Sequence, residues 1–164
     1  MALQIASLKT PIGALHAIAD GTTLLGITFT SADHLIDLID ERYIGDQVRT
    51  VKFISGITPV LRDYFDGDID GLRAIKTSQP GGEFSQRAWK AMRGVRAGRT
   101  ISYGELAVKA GSPRAVRAAG SACAKNAIAL VVPCHRILAS DGGLGGYAYG
   151  LKAKQWLLSH EGAL

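Results

Sequence analysis

The segment "ALVVPCHRILASDGG", residues 129–143, drives an apolar run into Pro133 and then sets Cys134, His135 and Arg136 side by side. Proline cannot continue a central strand, so the pattern predicts a buried strand that ends at Pro133 and presents Cys134 where it stops. A thiol reacts as its thiolate. A neighbouring imidazole can take its proton, and a carboxylate can hold that imidazole in the right tautomer. Adjacent side chains on an extended strand point to opposite faces, so a Cys134–His135 pair requires the strand to have ended. Acids are scarce beyond residue 80, where only Glu83, Glu105, Asp141 and Glu161 occur. Glu161, closing "LKAKQWLLSHEG", is the candidate orienting group. On the residues alone two readings stand: a thiol enzyme of unknown substrate, or a nucleic-acid-binding module with an incidental buried cysteine.

At 164 residues, 47% of them hydrophobic, the chain has room for one generous domain or two small ones. No apolar run approaches the length of a membrane span, and the start "MALQIASLKTPIG" lacks the basic and apolar regions of a secretory signal. The two cysteines, Cys123 and Cys134, are spaced neither as a redox pair nor as half of a zinc site. A reducing, cytoplasmic setting without a structural disulfide is expected. The net charge of +5 is uneven: residues 1–80 carry −3 and residues 81–164 carry +8. A basic half joined to a mildly acidic one suits either a solvated surface or contact with a polyanion.

"SQPGGE", residues 78–83, punctuates the pattern and predicts a boundary, giving domains over 1–80 and 81–164. Before it, "LQIASLK", "ALHAIAD" and "TLLGITF" read as three strands joined by hairpin-like turns. "SADHLIDLIDERY" reads as a helix capped by Ser31, and "TPVLRDYFDGD" as another with Thr58 as cap and Pro59 in its first turn. "GLRAIKT" reads as a late strand. The second half reads as almost all helix. Phe84, Ala88, Met92 and Val95 recur at helical spacing beside Trp89. "YGELAVKA", a "GS" turn and a helix opened by Pro113 have the helix-turn-helix pattern. That second helix is built of small residues, Ala115, Ala118, Ala119, Gly120, Ser121 and Ala122, with Arg114 and Arg117 as its long ones. Small side chains allow close approach to another helix or to a nucleic-acid groove, and the basic balance favours the groove.

These motifs, together with "GGYAYG" and the closing "HEG", resemble the O6-alkylguanine-DNA alkyltransferases, the methylated-DNA–protein-cysteine methyltransferase family. The match covers residues 84–161, with its motifs in order from "FSQRAWKAM" to the helix ending in Glu161, and runs more loosely through "TPIGALHAIADGTTLLGITF" and "LRDYFDGD". The resemblance implies an α/β (α+β) fold: an N-terminal ribonuclease H-like sheet domain, then a mostly helical C-terminal domain with a helix-turn-helix. It implies that Cys134 accepts an alkyl group irreversibly from O6-alkylguanine, and from O4-alkylthymine, in double-stranded DNA. His135 would act as base through a water, oriented by Glu161. Asn126 would tie the second helix to the active-site strand. Tyr103 would help turn the nucleotide out and donate a proton to guanine, and Arg117 would fill the gap. Ala115, Ala118, Gly120 and Ser121 would line the DNA-facing helix. Val132, Pro133, Tyr147 and Lys154 would form the base pocket. The protein would act once, as a monomer, with no membrane, metal or organic cofactor. Arg96, where the family commonly has proline, departs from the pattern. By plain reading Cys123 is a packed thiol, His160 a surface histidine, and Trp156, Leu157 and Leu158 core.

Overall fold

The computed structural model describes residues 2–164. The chain divides into two compact units. The first holds the residues up to Pro80 together with Ala127–Val131, and the second holds Gly81–Asn126 and Val132–Leu164.

The first unit is built on a mixed five-stranded sheet in the order β4-β1-β2-β3-β5. Strands β1 (Leu3–Thr10), β2 (Gly13–Asp20) and β3 (Thr23–Thr28) form an antiparallel meander. Gly21 opens the two-residue β2–β3 loop at φ +58, a value that a two-residue hairpin loop favours and L side chains resist. Leu3, Ile5, Ile18 and Leu25 form a core cluster with Leu35 of the short helix α1 (Leu35–Leu38). Two edge strands run parallel to their neighbours: β4 (Val48–Thr50) on β1 and β5 (Lys76–Thr77) on β3.

Several expectations are corrected here. The helix predicted from Ser31 to Tyr43 is broken. Ser31 caps a 3-10 turn at Ala32–His34, α1 follows, and Asp40 caps a second 3-10 turn at Glu41–Tyr43 by accepting from the Arg42 amide. Short polar side chains that bond nearby amides compete with a continuous helix. Thr58 is not a cap. It lies inside α2 (Thr58–Phe65), and its Oγ1 accepts from the Ile54 amide instead. "GLRAIKT" yields only the two residues of β5, because Gly71–Ala74 coil into a 3-10 turn. Strand β4 carried no sequence signal: all three of its residues are exposed, so no alternation marks it.

In the second unit, α3 (Glu83–Arg93) buries Ala88, Trp89 and Met92, and Trp89 Nε1 donates to the carbonyl of Ala122 on α5 (Val116–Lys125). A two-stranded parallel ladder joins β6 (Ile101–Ser102) and β7 (Ile137–Leu138). Helix α4 (Tyr103–Lys109) starts on a capping box: Ser102 Oγ accepts from the Glu105 amide, and Glu105 Oε1 accepts from the Ser102 amide. Its end is a Schellman motif, with Gly111 at φ +89 and the Ser112 amide donating to Ala107. Pro113 does not open α5. It sits in a turn closed by the Ala115 amide and the Ser112 carbonyl, and α5 begins at Val116. The half is also less helical than expected, because residues 127–150 are mostly turns and irregular chain before α6 (Leu151–His160). The cap of α4 fixes Tyr103 as its first residue. Ser102→Ala is expected to cost about 1 kcal/mol, read as a fall in the urea midpoint at constant m.

Candidate active site

The expected strand before Cys134 is instead a buried chain of tight turns. Ile128 makes a single bridge to Ile27, and there the pairing stops. The Ala127 amide donates to Gln79 Oε1, and the Val132 carbonyl accepts from Asn126 Nδ2 at 2.8 Å. Side chains thus take the hydrogen bonds that a ladder would have used. Between them Leu130, 1% exposed, holds φ +74 while the Val131 amide reaches the Ala129 carbonyl. That is the rare, strained hand of γ-turn. Pro133 follows at φ −83, ψ 67 with the Cys134 amide donating to Val132, an inverse γ-turn. Backbone strain of the Leu130 kind persists where surroundings over-determine it, often beside functional groups.

Cys134 then opens a 3-10 turn, Cys134–Arg136, which turns the thiol and the imidazole to different neighbours. The Sγ of Cys134 lies 3.4 Å from Asn126 Nδ2, which donates to it. It borders a cavity of about 250 Å³ with Tyr103, Gly120, Cys123 and Tyr147. Burial pushes the Cys134 thiol up, while the Asn126 hydrogen bond and the Lys154 charge pull it back. Lys154 is fully buried, and its Nζ donates to the Ile137 carbonyl at 2.7 Å and the Gly146 carbonyl at 3.1 Å. It does not line the cavity; it holds β7 and the Gly146 loop behind it.

His135 is fully buried, and its Nε2 lies 2.8 Å from Glu161 Oε2. Burial alone would raise the Glu161 carboxyl; hydrogen bonds and charges from His135 and Arg136 outweigh that and hold it well below the usual carboxylate range. An ionised carboxylate only accepts, so Nε2 carries the proton and Nδ1 is the basic atom. Burial holds His135 below its ordinary value, against the pull of Glu161, so the ring is neutral. Arg136 grips the same carboxylate by a two-pronged fork: Nε to Oε1 at 2.8 Å and Nη2 to Oε2 at 2.9 Å. Its Nη1 donates to the Val95 carbonyl at 2.7 Å. Glu161 occupies the C-cap of α6, which ends in a Schellman motif with Gly162 at φ +80.

The structure therefore gathers Cys134, Tyr103, Tyr147 and Gly120 at one cavity, with Asn126 bonded to the thiol and His135 and Glu161 bonded to each other. Val132 and Pro133 are buried in the turns that aim the thiol. Arg117, Ala118 and Ser121 are exposed on α5, and Ala115 is half-buried at its cap; none lines the cavity. Two residues gain parts that the plain reading missed. Arg136 anchors the Glu161 carboxylate, and only its place in "PCHR" pointed to it. Cys123 faces the cavity and is not merely packed; burial pushes its thiol up to about 12. His160 stacks on Trp156 at 4.6 Å. Burial pushes the Tyr103 phenol up, so it stays protonated.

Comparison with known proteins places this arrangement. The profile described as "6-O-methylguanine DNA methyltransferase, DNA binding domain" matches residues 83–163. The methylated-DNA–protein-cysteine methyltransferase of Shigella flexneri is 34% identical over 161 residues, 96% of this chain and 94% of its own. The chain belongs to the methylated-DNA–protein-cysteine methyltransferase family. The Methanosarcina acetivorans member of that family is likewise 34% identical, over 98% of this chain and 99% of its own. The crystal structure of Mycobacterium tuberculosis OGT in complex with DNA superposes with a TM-score of 0.82 at 32% identity, covering 98% of this chain and 93% of that one. In this methyltransferase, as in that relative, the fold is mixed α/β with a mixed sheet. No helix among the described residues is long and apolar enough to cross a membrane.

Proposed function

We propose that this methyltransferase repairs DNA by moving the alkyl group from O6 of guanine, and O4 of thymine, irreversibly to Cys134, once per molecule. The observation that carries this reading is the thiol itself. Cys134 borders a cavity, takes a hydrogen bond from Asn126, and sits beside a buried His135–Glu161 pair. In the reaction the thiol proton passes through a water to Nδ1 of His135, and Sγ attacks the alkyl carbon in line. The S–C bond forms as the C–O6 bond breaks, and the electron pair leaves on guanine. Tyr103, kept protonated by burial, donates to the developing guanine anion. A thioether resists hydrolysis, so no second turnover follows. Nothing in these steps asks for a metal or an organic cofactor.

The target carbon is out of reach inside a duplex, so the base must be extruded. Helices α4 and α5 serve as a helix-turn-helix laid in the minor groove. The exposed small residues Ala118 and Ser121 admit the backbone, with Ala115 and Gly120 beside them, and Arg117 fills the gap left by the base. Tyr147 lines the base pocket, and Lys154, Val132 and Pro133 shape it from behind. Residues 1–80 form a ribonuclease H-like support domain, and residues 81–164 the domain that binds DNA and accepts the alkyl group. The protein works as a monomer in the cytoplasm.

Intact-protein mass spectrometry after mixing with a duplex holding one O6-methylguanine tests the reading. The expected result is a gain of one methyl group per protein, mapped to the peptide containing Cys134. No gain with the duplex still bound would leave a damage sensor, and turnover of small esters without DNA would leave a hydrolase.

A further inference from the structure

A second concavity of the C-terminal unit, of about 660 Å³, shares no lining residue with the thiol cavity. Five cations ring it: Arg87 and Lys90 of α3, Arg96 and Arg99 of the following turn, and Lys109 at the end of α4. No carboxylate lines it. The two acids nearest in sequence, each four residues from a lining cation, are engaged: Glu83 by Arg87 at 2.8 Å, and Glu105 by the Ser102 amide at 3.1 Å. Among the described residues, Lys90, Arg96, Arg99 and Lys109 form no ion pair. Val95 and Ile101 give the floor an apolar patch.

The two arginines are held together by design of the backbone. The Arg99 amide donates to the Arg96 carbonyl, and Gly98 takes φ +87 at the third position, as in a type II turn. Such a turn keeps its first and last Cα within about 7 Å, so two cations that both line the concavity are tethered close together. The turn is also anchored. Arg136 holds the Val95 carbonyl, and a Cβ on Gly98 would meet the Glu161 carbonyl at 3.1 Å. Like charges fixed on a firm base, open to solvent and without an acid, form a receptor for an anion with several charges.

We propose that this concavity is a second phosphate-binding site, which takes the sugar–phosphate backbone of a DNA strand beyond the stretch that meets the thiol cavity. The proposal rests on DNA being the substrate. Lys109 lies six residues along α4 from Tyr103, which borders the thiol cavity. At about 1.5 Å per residue that is roughly 9 Å, or about three nucleotides at 3.4 Å of rise. The site would lengthen the electrostatic footprint without reading sequence.

The test is the salt dependence of binding to an undamaged duplex, for wild type and Arg96→Gln/Arg99→Gln. Each lost phosphate contact lowers the slope of log K against log[salt] by about 0.9, so a fall of about 1.8 is expected. Methyl transfer at saturating alkylated duplex should proceed at the wild-type rate. An unchanged slope in a variant that melts like wild type overturns the proposal. If that pair disturbs the turn, Lys90→Gln/Lys109→Gln, on exposed helical positions, carries the same expectation. Tripolyphosphate supplies the second arm. If it raises the melting point of wild type and not of the variant while the DNA slopes agree, the site serves a free polyphosphate and the proposal falls. Failure of wild type to bind duplex or gain a methyl group would instead sink the repair reading.

Discussion

Cys134→Ala is expected to bind the alkylated duplex and accept no methyl group. The loss should be complete, because the only other thiol cannot stand in. Cys123 borders the same cavity, but its thiol is pushed up to about 12. Burial raises both thiols and the Lys154 charge pulls both towards the anion; Cys134 differs in having Asn126 donate to its sulfur. The substitution removes little packing, and Asn126 keeps its bond to the Val132 carbonyl, so the fold should tolerate it. Cys123→Ser is the companion experiment, expected to keep full stoichiometry by mass. A methyl group appearing on Cys123 in the alanine variant would move the nucleophile and dismiss the role given to Asn126.

Glu161→Gln is expected to produce the largest loss of stability. Both carboxylate oxygens are occupied, by the Arg136 fork and by His135. Oε1 takes a donor from Arg136 and Oε2 takes donors from Arg136 and His135; an amide would set its own NH2 against one side, and Arg136, 5% exposed, would keep a buried charge without its counter-charge. Breaking one side of a buried pair typically costs about 3–5 kcal/mol. For a chain of this size that is a fall in Tm of roughly 10 °C, readable by calorimetry. Transfer should slow as well, since His135 loses the group that fixes its tautomer. The pH dependence has a definite sign. The folded carboxyl is held below its unfolded value, so its contribution is fully present above the ordinary carboxylate range and is lost as pH falls towards the folded value. His135, held below its ordinary value by burial, adds a loss in the same direction, beginning as pH falls through about 6.5. Wild type should therefore lose stability on acidification more steeply than Glu161→Gln. Parallel acid curves for the two would mean that the carboxylate is not the titrating group.

Much of this site is legible in the sequence, for physical reasons. Cys134, His135 and Glu161 stand out because reactive residue types are few in this half. The meander β1–β3 is legible because turn residues separate alternating strands, and the buried face of α3 because Ala88 and Met92 repeat at helical spacing. The approach to Cys134 is not legible. "ALVV" has the composition of a strand, and its turns depend on Gln79 and Asn126 taking the backbone hydrogen bonds, one of them 48 residues away. Arg136 reads as one basic residue among many until Glu161 is folded against it. The start of α5 misleads for a related reason. Proline suits the first turn of a helix and the second place of a β-turn equally, and only the Ser112 carbonyl decides between them.

The last turn of α6 has a wider reach than its position suggests. Helix ends are where native proteins open most readily, with little else unfolding. Here the terminal turn carries Glu161, and Gly162 closes it in the left-handed region. Each opening of that turn would release His135 from its tautomer and free Arg136 from its fork. It would also withdraw the carbonyl against which Gly98 rests. On the mechanism proposed above, protection of the Glu161, Gly162 and Ala163 amides against hydrogen exchange would measure how much of the population holds His135 in its working tautomer. That turn acts as a clasp, and on the proposed mechanism its opening constant would set a ceiling on the active fraction.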